Sequence, residues 1–416
     1  MNSNALYYLQ PRLENICSRL LSVAGDPDHP DLVFEETVFY PEGGGQPCDL
    51  GTIGGIPVVS VTEQGNEVVH RLSAPLPRGT VPGSMVEMRL DGNRRRDHTE
   101  QHSGQHLLSA TLLRLCGAPT RSFHLGPERS TIDIACNGLT DDDQTAVETA
   151  VNEAIGDDYR VMTHICPPED IASFNLRRVP PAGESVYRVV EIDGLDYTPC
   201  CGTHVGSTAE LRLMLILGTE KYKGLFRVHF VVGGRAIRLA RESTLAARQA
   251  ARVFGCEPRE AGAESLRQSE RLKAALAGRK ALLRAWAGEM VVAILAPGPI
   301  SAWQEESCRG TVPGTIGPFV ALVLPDKDAE AALEVAKALA ERGKAALVAS
   351  GQDRTVTAMA PGPTIGSGAG LGQLLGSFCG QFGGNGGGGQ GFFRATFPSI
   401  AAMGEFLGFL AKKLQN

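Results

Sequence analysis

Two short segments about a hundred residues apart limit how this chain of 416 residues can fold. The first is His102-Ser103-Gly104-Gln105-His106, and the second is Cys200-Cys201-Gly202-Thr203-His204. Each segment places two metal-binding side chains four residues apart, which on a helix puts them on one face. Imidazole and thiolate ligands together favour zinc in a tetrahedral set, filled by four side chains or left open to water at one position. The sequence therefore predicts a fold in which both segments meet at one metal ion.

A third histidine leaves the choice of the first pair open. His98, His102 and His106 recur every four residues. On a helix His98 and His106 lie about 12 Å apart along the axis, from a rise of about 1.5 Å per residue. One ion cannot bind both, so the pair is either His98 with His102 or His102 with His106. Periodicity alone does not choose between them.

Charge and cysteine usage limit the classes of protein to which this chain can belong. The ten cysteines are scattered, which is typical of reduced thiols, and the first residues lack a secretory leader, so we expect a cytoplasmic protein without membrane segments. The net charge is −6, yet residues 212–252 carry nine Lys or Arg against two Glu. This basic stretch predicts contacts with phosphates, and a solvated basic surface is the alternative.

The first part of the chain reads as short strands. Residues 32–40 are strand-like, residues 56–61 and 67–72 flank a turn and predict a hairpin, and residues 85–90 are a further strand. Strands this short, punctuated by Gly and Pro, predict a small β-barrel or curled sheet.

Helical and strand patterns then alternate. Apolar residues at helical spacing predict a helix over 97–116, and an acidic start predicts a second over 141–155. Strands are expected at 185–192, 211–217 and 226–232. This region is therefore expected to be an α+β domain.

The C-terminal part begins with a long predicted helix over residues 262–289. Its leucines lie roughly on one stripe, which suggests pairing with a second copy of the chain and hence a homodimer through this region. The stripe consists of Leu266, Leu272, Leu276 and Leu283. A βαβ-like unit is expected next, with strands at 290–295, 319–324 and 345–349 and a helix at 329–342.

Glycine dominates residues 363–391. The apolar spacing within 371–378 predicts a short helix, and we expect the surrounding glycines, including the run 386–389, to form loops packed around it. A linker is the alternative. An amphipathic helix closes the chain over 400–414. The predicted domains are 1–92, 93–240, 241–290 and 291–416.

A run of three glycines, Gly43 to Gly45, lies within the segment Phe39-Tyr40-Pro41-Glu42-Gly43-Gly44-Gly45-Gln46-Pro47. Glycines allow the backbone to approach a ligand closely and to offer N–H groups to an anion or a carbonyl oxygen. No Lys-Ser/Thr pair follows, so this is not a phosphate-binding P-loop. A simple hairpin turn is the alternative reading.

Four segments in this order resemble the free-standing alanyl-tRNA editing proteins of the AlaX type, which are similar to the editing half of alanyl-tRNA synthetase. They are FYPEGGGQP at 39–47, RRRDHTEQHSGQHLLSA at 94–110, PCCGTHVGSTAEL at 199–211 and TEKYKGLFRVHFVVGGRA at 219–236. The resemblance covers about residues 30–240. More loosely, the C-terminal part resembles the DHHA1 domain of the family's long form. No room is left for an aminoacylation domain, so the chain is expected to edit tRNA and not to charge it.

The resemblance implies a site and its ligands. One Zn²⁺ is expected on His102, His106, Cys200 and His204, which selects the second helical pair. Gln46 matches the glutamine that lines the family's editing pocket. Gln46 and the N–H groups of Gly44 and Gly45 are expected to place water and the oxyanion, with zinc as the organiser of the pocket. Cys201 stands where the family usually has glycine, so it is an alternative thiol ligand.

The implied reaction is hydrolysis of the ester that joins serine, or secondarily glycine, to alanine tRNA. A synthetase pocket for a methyl side chain cannot reject an added hydroxyl strongly, so a second hydrolytic site is needed. Thr37 is the candidate partner of the serine hydroxyl. Lys221, Lys223, Arg227 and Arg235 are expected to hold the tRNA through its phosphates. A tRNA-binding protein with a purely structural zinc is the alternative function, and a zinc amidohydrolase or peptidase is a third.

Overall fold

The structure is a computed structural model that describes residues 5–180, 183, 185–296, 314–362 and 370–414. Its residues divide into two compact units, Met1–Val253 and Phe254–Asn416. The four domain boundaries expected from the sequence stay predictions.

A closed six-stranded barrel opens the first unit, after the single helical turn α1 (Leu6–Leu9). Its neighbouring strands follow the order β1-β2-β5-β4-β3-β6, and the predicted barrel is confirmed. The strands are β1 (Asn15–Asp26), β2 (His29–Phe34), β3 (Gly51–Ile53), β4 (Ile56–Gln64), β5 (Glu67–Leu72) and β6 (Met85–Leu90). The expected hairpin is the antiparallel pair β4–β5.

The strand expected over 32–40 is wrong beyond Phe34. There the regular strand pairing ends, and several backbone groups bind side chains instead of a neighbouring strand. Tyr40 N–H donates to Asp49 Oδ2 at 2.6 Å, and the carbonyl of Val38 accepts from Arg95 Nη2 at 2.5 Å. Val38, Phe39 and Tyr40 are buried, which explains why the segment reads as a strand.

Three α-helices and two sheets complete the described part of the first unit, as the α+β pattern predicts. A four-stranded sheet has the order β12-β13-β8-β7, and a three-stranded sheet has the order β11-β10-β9. The elements are α2 (Gly92–Cys116), β7 (Thr120–Leu125), β8 (Ser130–Ile134), α3 (Asp141–Gly156), β9 (Val161–Cys166), β10 (Tyr187–Ile192), β11 (Asp196–Pro199), β12 (Met214–Tyr222), β13 (Leu225–Val232) and α4 (Gly234–Phe254).

Local capping fixes the ends of α2. The Asp91 side chain accepts a hydrogen bond from Arg94 N–H at 3.0 Å, and Gly117 ends the helix with φ +60°. A Cβ at Gly104 would lie 2.4 Å from the Val232 side chain. The glycine therefore allows the helix to lie directly against β13.

The second unit contains a six-stranded sheet of order β14-β15-β16-β17-β19-β18. β15 and β16 are parallel and are joined through α6, so the βαβ unit of residues 319–349 is confirmed. The elements are α5 (Ala261–Leu295), β14 (Gly314–Ile316), β15 (Phe319–Leu324), α6 (Ala329–Glu341), β16 (Ala345–Ser350), β17 (Thr355–Met359), α7 (Leu371–Cys379), β18 (Asn385–Gly388), β19 (Phe392–Thr396) and α8 (Ile400–Lys413).

The strand expected at 290–295 is wrong, because these residues are the last turns of α5. Ala287, Met290 and Val291 are buried in the same cluster as α6. A short apolar run without alternation fits a buried helix end as well as a strand. Toward its start, α5 exposes Leu266, Leu272 and Leu276 by 70%, 61% and 55%, and the homodimer stays a prediction.

The glycine run is a strand rather than the expected loop. β18 pairs with β19 at the edge of the sheet, and a Cβ at Gly386 or Gly388 would meet the β19 backbone at 2.2 or 1.9 Å. The absence of side chains thus allows this close pairing. The embedded helix is confirmed as α7, whereas residues 363–369 lie outside the described part. The DHHA1-like character of this unit stays a prediction.

None of the described helices is long and apolar enough to span a bilayer.

Candidate metal centre and adjoining cleft

α2 and the loop after β11 bring together the four side chains of the two motifs. The ligand atoms of His102, His106, Cys200 and His204 all lie within 4.8 Å of one another. Cys200 Sγ lies 3.2 Å from His102 Nε2 and 3.4 Å from His204 Nε2. His98 lies one turn earlier on α2 and is not part of this cluster.

Glycine at position 202 makes the approach of the loop to α2 possible. A Cβ there would lie 2.1 Å from the His102 ring and 3.0 Å from Gln46 Oε1. The N–H of Gly202 also points at Cys200 Sγ, at 3.4 Å. Cys201 is exposed, so Cys200 is the thiol that faces the imidazoles.

Gln46 fixes the orientation of His102. Its Oε1 lies 2.9 Å from His102 Nδ1 and accepts from Thr203 N–H at 3.0 Å, while its Nε2 donates to Thr203 Oγ1 at 2.9 Å. An acceptor at Nδ1 places the ring proton there and leaves Nε2 free to bind a metal. Gln46 is fully buried, and in this geometry it supports a ligand.

Of the other two imidazoles, that of His204 is also supported from behind, whereas His106 Nδ1 has no hydrogen-bond partner among the described residues. His204 Nδ1 lies 3.1 Å from Ser103 Oγ, which accepts from Val205 N–H at 3.1 Å. His106 Nδ1 lies 3.7 Å from Asp196 Oδ2. Asp196 is itself held by Arg177, whose Nε and Nη2 donate to its two oxygens at 2.7 and 3.1 Å.

Burial keeps His102 and His204 in the neutral form that metals require. Desolvation, assisted by the nearby Arg188 charge, lowers the pKa of His102 to about 3, and burial also lowers the pKa of His204 well below its usual value. For Cys200, burial raises the pKa, but His106, the Gly202 N–H and Arg188 outweigh it and lower the pKa overall. Neutral imidazoles and an accessible thiolate are the metal-binding forms.

The donor set fits zinc. Zn–N distances of about 2.0–2.1 Å and a Zn–S distance of about 2.3 Å place the ligand atoms of a tetrahedral set with one sulfur about 3.3–3.6 Å apart. The Sγ–Nε2 separations of 3.2 and 3.4 Å are close to that spacing. Three nitrogens and one sulfur also match the ligands that zinc prefers.

The glycine loop lies beside the cluster. Gly44 and Gly45 have φ of +56° and +79°, and a Cβ at Gly45 would lie 2.7 Å from the Phe123 ring. That ring packs on His102, with centroids 5.5 Å apart. The loop therefore needs glycine at position 45 to accommodate the wall of the metal centre.

Thr37 lies in a separate buried network of the barrel. Its Oγ1 lies 2.8 Å from His70 Nε2 and accepts from Phe39 N–H at 3.0 Å, while His70 Nδ1 lies 3.1 Å from Leu32 O. Desolvation lowers the pKa of His70 to about 4, so the ring is neutral. The Thr37 hydroxyl thus already has two partners within the barrel.

A cleft of about 1040 Å³ reaches the cluster at Thr203 and His204. Its wall carries five arginines and three glutamates, which are Arg12, Arg95, Arg96, Arg188, Arg212, Glu14, Glu100 and Glu210. Arg95 and Arg96 lie in a family segment and Arg212 opens the basic stretch 212–252, but no local motif marks Arg12 or Arg188. Such a basic wall suits a phosphate-bearing ligand.

The four residues expected to bind tRNA occupy different surroundings. Lys221 and Lys223 are exposed near the turn between β12 and β13. Arg227 donates to both oxygens of Asp133, at 2.7 and 2.9 Å. Arg235 is buried and donates to both oxygens of Asp97, at 2.8 and 2.5 Å. Both arginine charges are therefore already paired.

Residues 187–229, which include Cys200 and His204, match the family model of the threonyl and alanyl tRNA synthetase second additional domain. The chain is 39% identical over 216 residues to the alanyl-tRNA editing protein Aarsd1 of Danio rerio, covering 51% of this chain and 52% of that protein. It is 35% identical over 242 residues to the alanyl-tRNA editing protein AlaX-L of Pyrococcus horikoshii, covering 56% and 58%. An alanine–tRNA ligase of Pyrococcus abyssi is 30% identical over 268 residues, covering 62% and 29%.

These matches show first that residues 187–229 are similar to the synthetase second additional domain. More particularly, the chain is a homologue of the alanyl-tRNA editing proteins, and the resemblance seen in its motifs is confirmed. The chain spans about half the length of the curated relatives it matches.

Proposed function

We propose that this chain hydrolyses the ester bond of alanine tRNA that carries the wrong amino acid, serine first and glycine second. One observation carries the proposal: four metal-binding side chains converge where a basic cleft ends. The names of its relatives support the same reaction class. A cleft of this size and charge suits the aminoacylated end of a tRNA, with its phosphates along the basic wall.

We further propose that His102, His106, Cys200 and His204 hold one Zn²⁺ per chain. When bound, zinc can polarise a carbonyl oxygen or lower the pKa of a water molecule. The protein's own contribution is positional: Gln46 orients His102 and Ser103 orients His204, while Asp196 lies 3.7 Å from His106 Nδ1. The N–H groups of Gly44 and Gly45 remain the candidates to place water and the oxyanion.

For tRNA binding we assign phosphate contacts to the exposed Lys221 and Lys223 and to the cleft residues Arg12, Arg96 and Arg212. Arg12 and Arg212 are exposed and pair with Glu210 and Glu100 at the cleft. The Arg12–Glu210 pair is exposed and contributes little stability, so the Arg12 guanidinium can exchange its carboxylate for a phosphate. Glu100 is buried, so Arg212 would offer a phosphate only the donors that its pair with Glu100 leaves free. Contacts from Arg227 and Arg235 stay predictions. Binding is expected to weaken steeply with salt.

The test is release of amino acid from Ser-tRNA(Ala) and Ala-tRNA(Ala), each with and without a zinc chelator. We expect serine release that greatly exceeds alanine release and that stops on chelation. A specific observation favours a second function, tRNA binding with a purely structural zinc, because four side chains would fill a tetrahedral set. Salt-sensitive tRNA binding without turnover would select that function instead.

A further inference from the structure

The N-terminal segment, residues 5–13, forms part of the cleft although it precedes every recognised motif. It supplies Tyr7, Tyr8 and Arg12 to the wall. Its backbone is fixed to the barrel side of the site: Leu6 N–H donates to Thr37 O at 3.0 Å, and Arg95 Nη1 donates to the Pro11 carbonyl at 3.1 Å. The segment is therefore held in place beside the metal centre.

Three consecutive carbonyls of the metal-binding loop 200–202 are each bound from this wall. Arg188 Nη1 donates to Cys200 O at 2.8 Å and to Gly202 O at 2.9 Å. Tyr8 Oη donates to the carbonyl between them, that of Cys201, at 2.5 Å. Carbonyls on this side direct the Gly202 N–H to the opposite side, where it points at Cys200 Sγ.

Tyr8 and Arg188 also support each other. The guanidinium carbon of Arg188 lies 4.7 Å from the centroid of the Tyr8 ring, a cation–π distance. Arg188 Nη2 donates to Thr163 Oγ1 on β9 at 3.2 Å, and only 8% of the residue is exposed. A nearly buried guanidinium with a fixed fork of donors holds its acceptors in one geometry.

We propose that Tyr8 and Arg188 act together as positioning residues that hold the loop 200–202, and with it the Cys200 thiol, in place for metal binding. The inference rests on the zinc site of the proposed function and concerns metal retention, not hydrolysis. Neither residue belongs to the ligand set. The N-terminal segment is thereby part of the functional site.

The test compares zinc release from the full chain to an excess of a chromogenic chelator in four proteins: the parent, Tyr8→Phe, Arg188→Lys and Tyr7→Phe. Tyr8→Phe keeps the ring over Arg188 and removes only the hydroxyl. Arg188→Lys keeps the charge and removes the fork. Tyr7→Phe is the matched control, because Tyr7 lies in the same wall and its hydroxyl makes no hydrogen bond to the loop among the described residues.

We expect zinc to dissociate about 10-fold faster from Tyr8→Phe and about 10–100-fold faster from Arg188→Lys, the range for lost support of metal ligands. Tyr7→Phe should release zinc at the parent rate. In the cobalt-substituted proteins the visible absorption bands should shift for Tyr8→Phe and Arg188→Lys and should not shift for Tyr7→Phe. Thermal unfolding of the apo-proteins separates these changes from a general loss of stability.

Zinc release and cobalt spectra like those of the parent in both Tyr8→Phe and Arg188→Lys would overturn the inference. A parent chain that retains no zinc would refute both the inference and the zinc site. If the parent retains zinc but hydrolyses no aminoacyl-tRNA, the proposed reaction fails while the zinc-release comparison still decides on Tyr8 and Arg188.

Discussion

The barrel and helix α2 each bury a neutral imidazole, and the two differ in what the second ring nitrogen faces. In the barrel, His70 has Leu32 O at one nitrogen and the Thr37 hydroxyl at the other. On α2, His102 has Gln46 Oε1 at Nδ1, but its Nε2 points at the Cys200 thiol, with two further imidazoles close by. Burial alone therefore does not mark a ligand. A buried histidine becomes a metal ligand when one nitrogen is supported and the other meets further donors.

Loss of the thiol should have the largest effect and sharpen this comparison most. We expect Cys200→Ala to weaken zinc binding at least about 100-fold and to abolish serine release, because one of four ligands is removed. Metal content after dialysis and deacylation rates measure this. Cys201→Ala is the matched control, since that thiol is exposed and should leave zinc binding unchanged. The reverse pattern would make Cys201 the ligand.

His70 should make stability depend on pH without affecting the metal. Its pKa is about 4 in the folded state against about 6.5 unfolded, so between these values the unfolded chain binds more protons. Stability should therefore fall as pH drops from about 6.5 to 4, by up to about 3 kcal/mol from this residue. Denaturant unfolding of the parent and of His70→Gln measures the difference. Curves that stay parallel across this window would contradict the assignment.

Gln46→Ala tests whether the hydrogen bond at His102 Nδ1 supports metal binding by this histidine. We expect zinc affinity about 10–100-fold weaker, because His102 and the Thr203 N–H lose their shared partner. Competition with a chelator measures the affinity. Gln101→Ala is the control: this buried glutamine binds the Val232 backbone, so its loss should lower stability and spare zinc. Unchanged affinity in Gln46→Ala would remove the glutamine from the site.

The smallest effect is expected from Thr37→Val. It removes a hydroxyl that serves both His70 and the Phe39 N–H, and we expect a loss of about 1–2 kcal/mol in unfolding free energy. Thr37→Ser, which keeps the hydroxyl, should lose less. Serine-to-alanine selectivity should stay at the parent value in both. A collapse of selectivity in Thr37→Val alone would instead support the prediction that Thr37 recognises the serine hydroxyl.

Local patterns predicted much of the fold. The hairpin β4–β5, helix α2 and helix α7 follow from spacing within a few residues, and the two ligand-bearing segments are readable as motifs. The strand predicted at 290–295 is wrong because burial against α6 stabilises a helix end there. The loop predicted for the glycine run is wrong because residues 385–388 pair with β19. Such partners are invisible to a local pattern.

The residues that support the candidate metal ligands could not be predicted from local sequence patterns. Tyr8 meets the Cys201 carbonyl across 193 positions, and Gln46 meets Thr203 across 157. Arg188 is the second residue of the buried strand β10, where nothing in the sequence distinguishes a loop-binding guanidinium from an ordinary ion-pair partner. Candidate metal ligands can be recognised from short sequence segments, whereas the residues that support them are brought close only by the tertiary fold.

The two glycines beside His102, at positions 104 and 202, set a steric limit on how this protein can vary. A single methyl group at Gly104 would push α2 from the sheet, and one at Gly202 would occupy the space of the imidazole. Exchange of one metal-binding side chain for another changes only the ligand, but an alanine at either glycine displaces backbone on which two ligands depend. In laboratory evolution of this region, substitutions that exchange one metal-binding side chain for another should therefore be tolerated more readily than a larger residue at Gly104 or Gly202.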